Sequence, residues 1–370
     1  MPCMDDEIRI GIIGIGQIGS RHLDMYQKIP GARVVALADV NASELSRVAA
    51  GHGIEDTCTD FRRLIARDDV QAVDVCLHNN LHMPVSVAAL EAGKHVYCEK
   101  PMAGSYRDAE GMMAAARKAG RRLSIQLNAL FSAETQAARC LIRDGRLGKV
   151  YHGRTTGCRR RGRPFVDGYG SPAFVQKRNS GGGAIYDSGV YRITQMLHLL
   201  GNPSVERISG KTYQEIAIDE QRRTVSGYDV EESGFGFVRL SGNLTMDIVE
   251  CWAVHLDQPN GSVVLGSEGG VRLNPFGFFQ SVGDLDLNST ADLSSFLYRQ
   301  HNVRGVGDEY DSPQVHWVRA LQGRVELLPT AELALAAMLV SEGIYLSEKL
   351  GREVSAEEVK NASISNAIAV

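Results

Sequence analysis

Three groups of residues in this sequence carry chemistry, and they lie far apart along the chain. The first is Glu99-Lys100-Pro101, which follows the short apolar run His95 to Cys98. A lysine at the carboxyl end of a buried strand stands where α/β sheets bind their ligands. Proline fixes the backbone and keeps the preceding residue out of the helical region, so Lys100 is held rather than loosely displayed. The plainer alternative is a surface turn whose lysine points into water. The second group is Gly14-Ile15-Gly16-Gln17-Ile18-Gly19 with Asp39, twenty residues past Gly19. Glycines at this spacing make a tight turn, let the backbone approach a pyrophosphate and let a helix pack on a strand, while the later acid receives a ribose hydroxyl. The third group is Asp187 and Tyr191, four apart and therefore on one helical face, just after Gly181-Gly182-Gly183. Its bland reading is a capped helix with a half-buried tyrosine. An ammonium, a carboxylate and a phenol beside a dinucleotide are groups that move protons while a cofactor moves electrons.

The elements that must position these groups are legible in the hydrophobic pattern. Ile8 to Ile13 is a β-branched run with the character of a buried parallel strand, and the stretch from Gln17 to about Lys28 reads as a helix. That helix start offers unpaired N–H groups and a positive dipole end to phosphates. Val34 to Ala38 forms the second strand and ends in Asp39, while Asn41 or Ser43 is available to cap the next helix. Asp39 would repel a 2′-phosphate, which favours NAD over NADP, and Arg47 is the nearest argument for NADP. Helices are then expected at Phe61 to Ala66, Pro84 to Ala92, Ser105 to Ala119 and Ala133 to Asp144. The strands among them are Ala72 to Leu77, His95 to Cys98 and Leu123 to Leu127. This alternation implies βαβ units and a doubly wound parallel sheet. His78, His82 and Cys76 lack the further convergent ligands a zinc site needs, so this loop is expected to line the cofactor crevice instead.

After Gly148 the pattern changes to longer extended stretches at Val150 to Cys158, Val205 to Tyr213, Gly234 to Leu240, Leu244 to Val254 and Ser262 to Gly266. Leu244, Met246 and Ile248 alternate with Thr245 and Asp247, the mark of a strand with one wet face. A largely antiparallel sheet follows, with helices at Ile185 to Leu200 and Ser312 to Leu350. The division expected is residues 1–128 for a dinucleotide-binding domain and 129–370 for substrate binding and oligomerisation.

Composition narrows the class. The net charge is -4 with 23% charged residues, so nothing draws the chain generally to nucleic acid or anionic membrane. The basic cluster Arg159-Arg160-Arg161 with Arg163 is local. The seven cysteines (Cys3, Cys58, Cys76, Cys98, Cys140, Cys158 and Cys251) are odd in number and form no CxxC pair, which suits a reducing compartment. Met1 to Glu7 is polar and acidic, without the basic and apolar regions of a signal peptide. No apolar run is expected to approach the roughly 20 residues that span a bilayer. The expectation is a cytoplasmic protein.

Taken together, these marks resemble the glucose–fructose oxidoreductase/inositol dehydrogenase/rhizopine catabolism (Gfo/Idh/MocA) family. The resemblance rests on Gly14 to Gly19, on Ala92-Gly93-Lys94-His95-Val96 running into Glu99-Lys100-Pro101, on Gly145-Arg146-Leu147-Gly148, and on Gly181-Gly182-Gly183 before Asp187 and Gly189. It implies an α/β protein with an N-terminal Rossmann domain and a C-terminal α/β domain whose large, mostly antiparallel open sheet supports homodimers or homotetramers. It implies NAD, with NADP possible, and a sugar, glycoside or cyclic polyol as substrate. Most relatives carry histidine where this chain has Tyr191 and often aspartate at Thr194; the chain resembles the tyrosine-containing branch. His78-Asn79 replaces the usual Thr-Pro, while Asn80 and His82 are kept.

Removing a hydride from a secondary alcohol requires a base near the carbinol and a cation for the developing charge. Tyr191 is assigned as the acid/base, Lys100 as the charge that lowers its pKa, and Asp187 as the group that orients Lys100 or accepts a substrate hydroxyl. Cofactor contacts are assigned to Gly14, Gly16, Gln17, Ile18, Gly19, Asp39, Asn80, His82, Glu99 and Lys100. Arg159 to Arg163, Phe165, Tyr169 and Phe174 are candidates for the substrate wall. Two other readings stay open: a redox-neutral glycoside-processing enzyme with tightly held NAD, and a non-catalytic NAD-binding regulator.

Overall fold

The computed structural model describes residues 7–257 and 261–370, so Cys3 and most of the acidic N-terminal stretch lie outside the described residues. Two sheets carry the fold. The first contains β1 (Ile8–Ile13), β2 (Ala32–Ala38), β3 (Thr57–Cys58), β4 (Ala72–Val75), β5 (His95–Cys98) and β6 (Leu123–Ile125), all parallel in the order β3-β2-β1-β4-β5-β6. The central strands are buried on both faces, which is why they read as nearly continuous apolar runs, interrupted by Asp74 in β4. Strand order reverses between β1 and β4, the position where open α/β sheets form a ligand crevice.

The helices of this half place the chemistry at that crevice. α1 (Gln17–Tyr26) follows β1, and α2 (Ala42–His52) is capped by Asn41, whose side chain accepts from Glu44 N. α3 (Asn79–Glu91) begins five residues before the expected start at Pro84. A proline inside a helix cannot donate to the carbonyl four residues back. Here that carbonyl, Asn80 O, accepts instead from Ile368 N at 3.2 Å, so the chain's last residues repair the break. α4 (Tyr106–Ala119) completes the layer and is capped by Ser105.

The second sheet holds β7 (Val150–Cys158), β8 (Val205–Tyr213), β9 (Ser233–Leu240), β10 (Leu244–Cys251), β11 (Val263–Gly266), β12 (Gly270–Arg272), β13 (Gly277–Val282), β14 (Leu285–Ser289) and β15 (Val354–Ser355). Their order is β14-β13-β12-β11-β7-β10-β9-β8-β15. Every pair is antiparallel except β7 with β10. One face is covered by α5 (Val190–Leu199) and α7 (Thr330–Leu350), while Arg154 and Asp247 pair at 2.7 Å on the open face. The single helical region expected from Ser312 to Leu350 is two helices, α6 (Pro313–Leu321) and α7, separated by a segment ending in Pro329.

These last helices tie the halves together. α7 packs on β8 and α5 and also on α4 and β6 of the first sheet. Its 21 residues are long and apolar enough to cross a membrane by length and composition, so the expectation that no stretch approaches that size is corrected. Most of the helix is buried within the protein, as a core helix must be. α6 returns to the first sheet: fully buried Trp317 stands 5.8 Å from the Tyr97 ring of β5, within the core that includes Ile10, Ile12 and Leu37.

Candidate active site

The turn after β1 is built as its three glycines require. Gly14 adopts φ +89, and a Cβ there would meet the Cys76 carbonyl oxygen at 2.3 Å. A Cβ on Gly19 would lie 1.9 Å from Gly14 O, so α1 packs on the turn only without a side chain. Gly16 differs: it is exposed, and among the described residues nothing lies within 4 Å of the place its Cβ would occupy. Gly16 is also the N-cap of α1 and supplies no side-chain cap, leaving the first N–H groups facing outward. Gln17 is exposed beside it and Ile18 is half-buried. Asp39, at the end of β2, leans over this turn; its carboxylate accepts from Ile15 N at 2.7 Å and Asn41 N at 2.8 Å. Arg47 pairs with Glu44 through two contacts, 2.5 and 2.8 Å, at the exposed surface of α2. An open backbone cradle, a helix N-terminus and an acid at the end of β2 fit a dinucleotide with a free ribose hydroxyl.

Lys100 leaves the end of β5 through a cis peptide bond to Pro101. Its Nζ donates to Asp187 Oδ1 at 2.7 Å and to Asp187 O at 3.0 Å, and lies 4.7 Å from the centroid of the Tyr191 ring. Residues from the two halves of the chain therefore converge, with the lysine and aspartate side chains 12% and 20% exposed. The helix carrying the last two begins with a π-helical turn, Ile185–Gly189, before α5 proper; such wide turns often sit at working sites. Burial works against the Lys100 charge, but Asp187 and Tyr191 outweigh it and leave the ammonium's pKa above its ordinary value. Burial pushes the Tyr191 phenol up, and Lys100 offsets only part of that rise. The expected lowering by Lys100 is thus real as a contribution but does not set the direction, because the phenol is too thoroughly desolvated.

Two of the assigned cofactor residues are turned inward. His82 is fully buried, with Nδ1 2.8 Å from Pro101 O and Nε2 3.0 Å from Leu77 O. It links the loop after β4 to the turn after Lys100, and both of its ring nitrogens face those two carbonyls. Asn80 donates to Arg178 O at 3.3 Å, and neighbouring Asn79 donates to Ser180 O at 2.8 Å. Both asparagines pin α3 to the segment before the Asp187 helix. Glu99 spans His22 Nε2 at 3.0 Å and Lys100 N at 3.0 Å. Cys76 clusters with His22 and Asp74 rather than with His78 and His82.

Several residues that shape this site gave little sequence signal. Glu231 accepts from Gly183 N at 2.8 Å, Ile185 N at 3.0 Å and Tyr345 OH at 2.8 Å, capping the turn that carries Asp187. Nothing in the local pattern before β9 distinguishes it from its neighbour Glu232. Glu250 is fully buried under α5 beside Arg192 at 3.0 Å, and burial pushes its carboxyl up to about 8 despite that partner. Arg163, expected at the substrate wall, is buried between Asp167 at 2.9 Å and Glu232 at 3.0 Å and serves the loop itself. Arg159 instead donates to Tyr169 OH at 2.7 Å at a more exposed position, and burial raises the Tyr169 phenol, which also feels Asp187 and Lys100.

Comparisons with known proteins bear on the family and the fold. Residues 8–127 match the family described as "Oxidoreductase family, NAD-binding Rossmann fold", and residues 135–272 match the GFO/IDH/MocA C-terminal domain. D-glucoside 3-dehydrogenase of Escherichia coli is 25% identical over 94% of this chain and 97% of its own length. An oxidoreductase domain protein from Kribbella flavida superposes with a TM-score of 0.80 at 22% identity, covering 95% of this chain and 99% of the other. The WlbA dehydrogenase from Bordetella pertussis, solved with NADH and UDP-GlcNAcA, gives 0.77 at 22% identity, covering 96% and 99%. At these identities the two structures speak for the fold alone.

Proposed function

From the premise that this chain belongs to the Gfo/Idh/MocA family of NAD-binding oxidoreductases, we propose that it interconverts a secondary alcohol and a ketone on a sugar, glycoside or cyclic polyol, with Tyr191 as acid/base and Lys100 as its electrostatic partner. The observation that carries this reading is the meeting of Lys100 with Asp187 at 2.7 Å and with the Tyr191 ring at 4.7 Å, at the same carboxyl edge of the first parallel sheet as the Gly16 turn. NAD, when bound, supplies the hydride acceptor. In the oxidative direction Tyr191 takes the proton from the substrate hydroxyl, and in the reductive direction it returns one. Lys100 stabilises charge on the phenol and on the substrate oxygen. Asp187 holds two of the three Lys100 N–H groups, which fixes the ammonium's direction and leaves one donor to serve Tyr191 or the substrate oxygen. Asp39 receives the ribose hydroxyl, which selects NAD.

A relative spanning nearly the whole chain is a D-glucoside 3-dehydrogenase, and this puts glucosides first among substrates to try. A panel of alkyl and aryl glucosides, free pyranoses and inositols, followed by the absorbance of reduced nicotinamide, tests the proposal. Turnover with NAD on at least one of them is expected. A blank panel with NAD and with NADP overturns it, and cofactor retained through gel filtration with no net reduction points to a redox-neutral reaction on a glycoside. The open face of the second sheet, a basin lined by Lys211, Phe235, Phe237, Asp247 and Val249, supports pairing between copies of this chain. Light scattering on the purified protein tests that part.

A further inference from the structure

A chain of buried charged side chains runs from beneath Lys100 into the first sheet, and the mechanism above does not use it. Asp74 sits within β4 and is fully buried, a rare place for a carboxylate without a partner. Its Oδ2 lies 2.8 Å from Nδ1 of His22, on the inward face of α1. The other ring nitrogen, Nε2, lies 3.0 Å from Glu99 Oε1, and Glu99 Oε2 accepts the Lys100 N–H at 3.0 Å. The links from Asp74 to the backbone of Lys100 are therefore continuous.

With both flanking carboxyls ionised, this geometry sets the protonation of His22. A neutral imidazole has one N–H and one lone pair, so between two carboxylates one nitrogen would present a lone pair to an anion. Both nitrogens carry hydrogens only in the imidazolium. The remaining titratable groups around the ring bring no competing charge. Cys76, just past β4, places Sγ 3.3 Å from both His22 Nδ1 and Asp74 Oδ1. Tyr97 of β5 lies 6.0 Å away ring to ring, and Tyr26 is fully buried on the same helix. Burial holds the protons on all three.

We propose that His22 is a positioning residue for Lys100: it clamps Glu99 to the buried Asp74 carboxylate, and Glu99 in turn fixes the backbone amide from which the Lys100 side chain reaches Asp187. Without that clamp Glu99 is an unpaired anion next to an ammonium, free to turn and draw Lys100 away from Asp187. The inference rests on Lys100 acting in the site, so its test separates the two ideas.

The full-length protein is labelled with 15N-histidine and 15N-lysine and followed by NMR over about pH 6 to 9, a window bracketing the ordinary histidine value. In the unsubstituted protein both His22 ring nitrogens should stay protonated throughout. In Asp74→Asn, which preserves shape, the burial that disfavours charge remains and one counter-ion is gone. His22 should then lose its proton inside the window as pH rises. The Lys100 Nζ resonance, identified by its loss in Lys100→Ala, should shift or broaden in His22→Gln. On any substrate found by the panel, kcat of His22→Gln should fall by about a hundredfold, the scale of a misplaced catalytic group, with calorimetric NAD affinity unchanged. A neutral His22 in the unsubstituted protein, or a Lys100 signal indifferent to both His22→Gln and Asp74→Asn, overturns the proposal. If Lys100→Ala keeps its turnover, the catalytic reading fails instead, and the NMR result for the clamp stands on its own.

Discussion

In the mechanism we propose, Tyr191 and Lys100 share one substrate oxygen, and the charges around them set how the site responds to pH. Replacing Lys100 with alanine, or Tyr191 with phenylalanine, should lower kcat by at least about 10²-fold, the usual worth of a positioned acid/base, with NAD affinity nearly intact. Near-normal kcat in Tyr191→Phe would remove that residue from the mechanism. Because burial holds the phenol above its ordinary value, the ionised fraction grows about tenfold per pH unit across the neutral range. Alcohol oxidation should therefore accelerate with rising pH while ketone reduction, which needs the protonated phenol, stays flat. A pH–rate profile measured in both directions checks this, and a flat oxidative limb refutes it. Glu250 bears on stability instead. Its folded value of about 8 lies above its ordinary 4.5, so the folded state binds a proton that the unfolded chain has released. That contribution is fully present below the ordinary value and is lost as pH rises to about 8. Glu250→Gln should flatten the decline, read as Tm at about pH 5 and about pH 9; an unchanged slope would show that Arg192 neutralises the carboxylate.

At the scale of elements, the strand–turn–helix around Gly16 separates what folding needs from what binding needs. A Cβ at Gly19 would collide with Gly14 O, so Gly19→Ala should destabilise the first sheet and lower the yield of folded protein. A Cβ at Gly16 meets nothing, and its φ of -66 suits any residue. Gly16→Ala should therefore leave Tm within a few degrees while weakening NAD by tenfold or more, about 1.4 kcal/mol. Calorimetry and a melting curve on the same sample decide it; equal NAD affinity would place the phosphates elsewhere. The parallel strands were readable from their buried β-branched runs, and so was α3 apart from its start. Pro84 reads as a helix start, and only the return of Ile368 to Asn80 O allows the helix to begin earlier.

For the whole molecule, α7 touches both sheets and α6 carries Trp317 back into the first core, so the two halves should melt together. NAD bound to the folded state adds stability as its concentration exceeds Kd, about 2.7 kcal/mol at a hundredfold excess. A single calorimetric transition, moved upward by NAD and little by NADP, is the expected result. Two transitions, of which NAD shifts only one, would show that α7 does not couple the halves. Preference for NADP would mean that Arg47 leaves Glu44 and that Asp39 is not the discriminating group.

The amino-acid order alone determined the Rossmann half, the change to a mostly antiparallel sheet and the glycine turn after β1, and it singled out Lys100, Asp187 and Tyr191 as candidates. Each of these is written in local periodicity or in spacing within one element. What only the tertiary structure decided was which charges meet. His22, Asp74 and Glu99 come from three elements, Glu231 reaches Gly183 across 48 positions, and Asp187 takes Lys100 across 87. The reason is physical: the energy of a buried charge depends on its neighbours in space and on water excluded around it, and neither quantity has a signature along the chain.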